Sequence, residues 1–470
     1  ENFQALNLLQ ERYREQVKCV YIDPPYNTGS DPDFYYKDAY KYSSWITMIS
    51  DRVSSSKSML QHKGSLFAQI DDYEEHHLRM ILDSIFTEAL RINRIAWVRT
   101  FNSGSSKGLS RKLPSNLDTL YWYAKSNDFE HKKELRPYSD GAMKRYDKED
   151  EKGRFKWNPM KTYSREKLDR LIASGDAIWT ENSKYPVYKK YLDENSGAPL
   201  DNNWSDIAGI GTFASERTGF VTQKPAKLIE RCLKLTNVDL ALDYFAGSGT
   251  TGHAVININR EDSGNRKFIL VEMGDYFDTV LKPRIAKVVY SESWKDGKPK
   301  ARHTGISHCC KYLRLESYED TLNNLRFDDG PSNSALLKNP SLKEDYMLRY
   351  LLDVETRGSQ SLLNIDAFVD PTSYTLEVKK PGTDEYVTRA VDLIETFNYL
   401  IGLRVVHYAA PRECTATFMR VEDPAVPQGR QTKLVLDGTL QPIENPQSAI
   451  SNPVWWFRTV EGWMLSLIHI

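Results

Sequence analysis

Tyr21-Ile22-Asp23-Pro24-Pro25-Tyr26-Asn27-Thr28-Gly29 sets a carboxylate, two prolines and an aromatic ring in direct succession at the end of an apolar run. Together these residue types suit a flat ring that carries an exocyclic amino group. The lone pair of such a group is delocalised into the ring, which makes it a poor nucleophile. Two acceptors on its two N–H bonds favour a more tetrahedral nitrogen and turn the lone pair outwards. Asp23 Oδ can be one acceptor and the Pro24 carbonyl the other, because proline fixes φ, brings no N–H and restricts the residue before it. Tyr26 offers a π face for stacking, as pockets that receive a flipped base require. A plain Pro-Pro turn with Asp23 as a helix cap would use the same residues, so context elsewhere must decide.

That context lies downstream, in Leu240-Ala241-Leu242-Asp243-Tyr244-Phe245-Ala246-Gly247-Ser248-Gly249-Thr250-Thr251-Gly252. It reads as a strand, a glycine-rich turn and the start of a helix, where backbone can approach a ligand and free first-turn amides can donate. No lysine follows the glycines, which excludes the GxxxxGK[ST] phosphate loop. Phe268-Ile269-Leu270-Val271-Glu272 reads as a third buried strand, ending in a carboxylate able to take both hydroxyls of a ribose.

The elements that must position these groups are legible in outline. Val17–Ile22 is short, β-branched and apolar, hence a buried strand, and in open α/β sheets ligands sit outside the carboxyl ends of strands. Residues 45–60 have helical spacing, with Gly64 expected to end the helix and residues 65–70 to form a strand. Asp71-Asp72-Tyr73-Glu74 has the acids of a helix start, and residues 94–99 and 119–124 read as strands.

The two motifs, with the Asp-Pro-Pro-Tyr motif first, resemble those of the β class of S-adenosylmethionine-dependent DNA amino-methyltransferases. Thr222-Gln223-Lys224-Pro225 followed by Leu228-Ile229-Glu230-Arg231 resembles the helix that precedes the glycine loop in that class. Asn27-Thr28-Gly29 and the run Tyr312-Leu313-Arg314-Leu315-Glu316-Ser317-Tyr318-Glu319-Asp320 resemble the modification subunit of type III restriction-modification systems. The resemblance implies an α/β, Rossmann-like methyltransferase fold with an inserted target-recognition region and an α+β C-terminal domain. Its implied divisions are residues 1–100 for the catalytic half of the core, 101–220 for the insertion, 221–305 for the cofactor half and 306–470 for a partner or dimerisation region.

By the same resemblance, Asp23, Pro24, Pro25 and Tyr26 hold the target amino group. Asp243, Phe245, Gly247, Gly249 and Thr250 form the cofactor loop, Glu272 takes the ribose, and Thr222 and Lys224 border the methionine end of S-adenosyl-L-methionine. The implied reaction is methyl transfer to adenine N6 in double-stranded DNA. N4-cytosine methylation uses the same acceptor pair, and a DNA-binding or assembly subunit without turnover is a further alternative. The implied partners are duplex DNA, a second copy of the chain and a restriction (helicase-nuclease) subunit. The family has Asp-Pro-Phe or Asp-Phe-Phe where this chain has Asp243-Tyr244-Phe245, and it begins with a strand ending Gly-Asp-Asn, of which Glu1-Asn2 and a helix-like stretch remain. Truncation is expected at both ends.

Composition is consistent with a cytoplasmic enzyme without a membrane partner: 27% of residues are charged, the apolar runs are too short to span a bilayer and no signal-peptide pattern is visible. The 5 cysteines are scattered, which argues against a disulfide framework, and no metal-ligand spacing occurs. Cys309-Cys310 and His308 read as strand residues. The net charge of −1 hides a local excess, since residues 102–190 hold 20 Lys and Arg against 13 Asp and Glu, interleaved with Tyr121, Trp122, Tyr146, Phe155, Trp157, Tyr163, Trp179, Tyr185 and Tyr188. Basic groups neutralise phosphates and aromatic or polar groups meet bases, which points to residues 101–220 as the DNA reader, with residues 102–108 a loop that orders on DNA. In the tail, residues 374–378 and 432–436 read as strands. Residues 391–403 carry Leu393, Ile394, Phe397, Leu400 and Ile401 at helical spacing, read as core packing rather than a partner-binding face.

Overall fold

The computed structural model describes residues 2–28, 37–100, 115–136, 138–181, 183–192, 197–211, 214–295, 298–316, 320, 374–380, 383, 385–403, 405, 412–422, 432–442 and 455–457. The chain divides into one unit of Glu1–Asn323 with Val378–Val387 and a second of Asn324–Glu377 with Thr388–Ile470.

In the first unit the order is α1 (Asn2–Tyr13), β1 (Val17–Ile22), α2 (Tyr42–Met59), β2 (Leu60–Ile70), α3 (Glu75–Phe86), β3 (Arg91–Val98) and β4 (Leu117–Ala124). Next come β5 (Leu135–Arg136), α4 (Asp140–Met143), β6 (Lys148–Asp150), β7 (Gly153–Pro159), α5 (Arg165–Ala173), β8 (Ala177–Ile178), β9 (Val187–Tyr191), β10 (Ala198–Pro199) and β11 (Asn203–Trp204). The chain then returns through α6 (Ala226–Thr236), β12 (Leu240–Asp243), α7 (Thr250–Asp262), β13 (Lys267–Leu270) and α8 (Lys282–Tyr290).

A 7-stranded mixed sheet of order β11-β3-β4-β2-β1-β12-β13 organises this unit. β1 runs parallel to both β2 and β12, with Cys19 opposite Ala241 and Val20 opposite Leu242. Such a central parallel strand must be apolar on both faces, and Val17, Cys19, Val20, Tyr21 and Ile22 are all buried. Cys19 and Tyr21 join a core with Leu228, Cys232 and Leu233 of α6 and Ala254 and Ile258 of α7. Val20 and Ile22 point to the opposite face by strand alternation. There α1 packs on α2, α2 on α3 and α3 on β4. From β1 the chain crosses to β2 on one side, and from β12 it crosses to β13 on the other. The carboxyl ends of β1 and β12 therefore flank a switch point, where α/β sheets open a crevice.

Four readings of the sequence are corrected. Gly64 does not end a helix: α2 stops at Met59 and β2 begins at once, and Gly64 sits where the β1–β2 register shifts. A Cβ there would lie 2.9 Å from Gln61 O and 3.1 Å from Val17 O, so the glycine lets the bulge close. β13 is an edge strand with Phe268, Ile269 and Leu270 only half-buried. Cys309 and Cys310 belong to no strand, and His308 instead stacks on Phe268 with ring centroids 5.3 Å apart. In the second unit, the helix Leu393–Leu400 leaves Ile394, Phe397, Leu400 and Ile401 exposed, so periodicity marked an apolar face but not its covering. That unit also pairs Arg412–Glu422 antiparallel with Thr432–Pro442. The loop at residues 102–108 and the terminal residues 463–470 lie outside the described residues, as does Gly29.

The β12–α7 turn depends on two glycines in the left-handed region, Gly247 (φ 52°) and Gly249 (φ 80°). Gly249 is the N-cap of α7, and a Cβ on it would stand 3.0 Å from Leu281 Cγ. Gly249→Ala should lower stability by about 1–2 kcal/mol from backbone handedness alone. Urea unfolding of the variant checks this, and an unchanged midpoint would show that the turn does not need the left-handed geometry.

Candidate active site

The Asp-Pro-Pro-Tyr segment leaves β1 and is pinned at each step. The Pro25 carbonyl accepts from Nε1 of the fully buried Trp45 at 2.8 Å. Tyr26 donates its phenolic hydrogen to Asp118 Oδ2 at 3.1 Å, and Gln69 Nε2 donates to the same oxygen at 2.8 Å. Tyr21 in turn donates to Gln69 Oε1 at 2.6 Å. Asn27 turns the chain at φ 57°, a conformation asparagine tolerates better than most residues. Its side chain bonds Glu74 Oε1 and the amide of Tyr40, each at 2.6 Å, while Asp38 accepts from the amides of Asn27 and Thr28.

Asp23 meets Lys224, whose ammonium lies 2.5 Å from Oδ2 and 4.9 Å above the Tyr26 ring. Burial pushes the Asp23 carboxyl up from its ordinary range, and Lys224 pulls it down. Asp23 Oδ1 is buried and has no hydrogen-bond donor among the described residues. Lys224 thus stands on the Asp23 carboxylate as well as beside Thr222, whose carbonyl it bonds at 3.3 Å.

Across the crevice, buried Asp243 accepts from the Phe245 amide at 3.0 Å and the Thr251 hydroxyl at 2.5 Å, and burial pushes its carboxyl up to about 7. Glu272 accepts from the amides of Gly247 (2.8 Å), Met273 (2.8 Å) and Gly274 (3.0 Å). A carboxylate offers about four lone-pair sites, and the Tyr276 side chain bonds Glu272 as well, so loop donors engage them all and Glu272 shapes the loop while facing the crevice. Thr250 Oγ1 bonds the Lys224 carbonyl at 3.3 Å.

One cavity of about 910 Å³ joins these groups. Asp23, Pro25, Thr222, Lys224, Asp243, Phe245, Gly247, Thr250 and Glu272 all line it, as do Phe220 and Tyr276. Pro24, Tyr26 and Gly249, expected at the site, are not among the residues that line it.

Three supporting roles escaped the sequence. Asp118 lies 92 positions from Tyr26, on antiparallel β4. Asn2 donates to the Tyr244 carbonyl at 2.9 Å and accepts from Arg52 Nε at 2.5 Å. Arg284 reaches Ser248 Oγ at 2.7 Å, Thr250 Oγ1 at 2.8 Å and His253 Nδ1 at 3.1 Å. Burial and the neighbouring guanidinium hold His253 down at about 3, neutral at physiological pH. Asp118 and Arg284 have no local spacing signal and Asn2 reads only as the remnant of a motif; pairing across the fold reveals the role of each.

An open α/β sheet with a crevice at its switch point is the place where folds of this class take a ligand. Residues 17–282, more than half of the chain, match the N6/N4 DNA methylase family, and the chain belongs to it. The type III restriction-modification enzyme StyLTI Mod subunit of Salmonella typhimurium is 27% identical over 338 residues, covering 57% of this chain and 51% of its own. The type II methyltransferase M.EcaI of Enterobacter cloacae is 26% identical over 327 residues, covering 60% of this chain and 71% of its own. The chain spans about half the length of the type III subunits it matches first. The solved PvuII DNA methyltransferase (cytosine-N4-specific) is 14% identical with a TM-score of 0.37, over 60% of this chain and 83% of its own.

Asp118→Ala would strip the acceptor from both Tyr26 and Gln69, at about 1–3 kcal/mol for each buried donor left unpaired. Denaturant unfolding should show at least one such loss; unchanged stability would mean that this network does not hold Tyr26.

Proposed function

We propose that the protein methylates N6 of a flipped adenine in duplex DNA, using S-adenosyl-L-methionine, and serves as the modification and specificity subunit of a type III restriction-modification system. The observation that carries this reading is Asp23 Oδ1, an unpaired buried acceptor beside the cavity wall that also carries the glycine loop and Glu272. An orphan carboxylate oxygen in a dry site is costly unless a donor arrives, and an amino N–H is such a donor.

The residues fit the cofactor. Gly247 and Gly249 allow backbone to approach it, Glu272 stands on the cavity wall, and the lining carries four acids, Asp23, Asp51, Asp243 and Glu272, against Lys37, Arg52 and Lys224, a small negative excess that suits a sulfonium cation. When bound, S-adenosyl-L-methionine supplies a methyl group already activated by the positive sulfur. Phe220, Phe245 and Tyr276 offer aromatic surface for its adenine, with Thr222 and Thr250 on the same wall.

On the catalytic side, Asp23 Oδ1 accepts one N–H of the target amino group and the Pro24 carbonyl the other. Tyr26, oriented by Asp118, stacks on the base. The fixed charge of Asp23 stabilises the positive charge that grows on nitrogen, so catalysis comes from orientation and from an acceptor in place beforehand. Preference for adenine follows from the resemblance of Asp23-Pro24-Pro25-Tyr26 to adenine-specific motifs. The type III assignment rests on the motif resemblance and on the StyLTI Mod subunit among the relatives. With it come a second copy of the chain and a restriction subunit as proposed partners.

The insertion is the proposed DNA reader. It folds in part as an antiparallel sheet of order β6-β7-β9-β8, and Trp179 and Tyr163 stand exposed beside it. Some of its basic groups are spent internally, as in Lys189–Asp150 (2.7 Å) and Lys152–Asp176 (3.0 Å), whereas Lys133, Lys144 and Arg145 are exposed.

Incubation of the chain with the cofactor and mixed-sequence DNA, followed by nucleoside mass spectrometry, should yield N6-methyladenine, with none from Asp23→Ala or Tyr26→Ala. N4-methylcytosine would overturn the choice of base, and no modified nucleoside would favour a subunit without turnover. Neutralising Lys133, Lys144 and Arg145 should flatten the log–log dependence of DNA affinity on salt by about 0.9 for each phosphate that is no longer neutralised. Identical slopes would put the phosphate-binding groups elsewhere.

A further inference from the structure

Lys224 is held from both halves of the site. Its carbonyl accepts from Thr250 Oγ1 at the start of α7, and Pro225 behind it is the N-cap of α6. Its ammonium, with the side chain only 10% exposed, lies on Asp23 Oδ2 at 2.5 Å and over the Tyr26 ring. One residue therefore spans the turn after β12 and the carboxylate after β1. An exposed pair of this kind would contribute little, but a buried carboxylate without its cation tends to neutralise.

We propose that Lys224 is a positioning residue for the transfer: its ammonium keeps Asp23 ionised with Oδ2 occupied, so that Oδ1 alone is offered to the incoming amino group. This rests on the reading of Asp23 as the amino-group acceptor. A protonated Asp23 would donate a hydrogen where an acceptor is required, so the ion pair decides whether the motif can work.

The other groups facing Asp23 leave Lys224 most of this task. Asp118 from β4 opposes its ionisation, as burial does, and Tyr26 on its own segment assists. Asp243 from β12 repels the Asp23 charge, and Tyr21 of β1 is a neutral phenol whose own ionisation Asp23 opposes. The sign follows: loss of the ammonium moves the ionisation of Asp23 to higher pH. Transfer should then fall at neutral pH and recover as pH rises. The geometry also explains why a lysine belongs beside the cofactor segment, since its carbonyl and ammonium report to opposite walls of one cavity.

The test uses the full chain and its Lys224→Met, Lys224→Gln and Lys224→Arg variants. Infrared difference spectroscopy of the carboxyl C=O band, with Asp23→Asn as the blank, reads the Asp23 midpoint without reference to turnover. The Met and Gln variants should raise that midpoint by about 1–3 pH units, the usual effect of a neighbouring charge, and Lys224→Arg should hold it near the parent value. The acid limb of single-turnover methyl transfer should move with it, while cofactor affinity measured by calorimetry stays separate from the pH effect. An unmoved midpoint in a folded Met or Gln variant overturns the proposal. Should both fail to fold, a parent midpoint at or above neutrality overturns it and one below supports it. A shifted midpoint without methyl transfer by the parent would retain the ion-pair role and reject the function proposed above.

Discussion

The parallel pairing of β1 with β12 constrains everything else in the site. Because Cys19 faces Ala241 and Val20 faces Leu242, the two strands end side by side, and Asp23 and Asp243 emerge on one edge of the sheet although 220 positions separate them. A slip of one residue would turn the alternating side chains of β1 to the wrong layers, and burial on both faces forbids it. The crevice follows from connectivity, since the chain leaves these strands in opposite directions.

Charge within the crevice is balanced locally. Asp23, Asp243 and Glu272 are among the carboxylates that line the cavity, and burial opposes the ionisation of these three. Asp243 and Glu272 are satisfied by loop amides and a hydroxyl, so their role is to hold the turn as much as to meet a ligand. Asp23 is satisfied at one oxygen only. That asymmetry sets Asp23 apart from the two loop-bound carboxylates, and Lys224, the residue that closes the distance between the halves, holds the occupied oxygen.

Much of this was legible in the sequence because the chemistry is carried by short local motifs. Val17–Ile22 reads as a strand from its apolar, β-branched run, and the glycines after Asp243 read as a turn from conformation alone. Asp118 and Arg284 were not legible, since each reaches the site across the fold from positions with no spacing of their own, and Asn2 reads only as the remnant of a family motif, not for its bonds to Tyr244 and Arg52. Lys224 was placed at the right cavity, but its hold on Asp23 depends on the entry of α6 beneath β1, which periodicity does not encode. Gly64 misled because a glycine after a helical stretch signals a stop as readily as a bulge. The stripe at Ile394, Phe397 and Leu400 misled because a hydrophobic face does not say what covers it.

A crystal structure of the chain grown with S-adenosyl-L-methionine tests the central claim that one cavity unites both halves. The account predicts a single cofactor in the space bounded by Asp23, Asp243 and Glu272, touching the glycine loop, with Asp23 Oδ1 left facing an adjoining vacancy for the target base. Cofactor bound outside that cavity, or bound so that it fills the place beside Asp23 Oδ1, would contradict it.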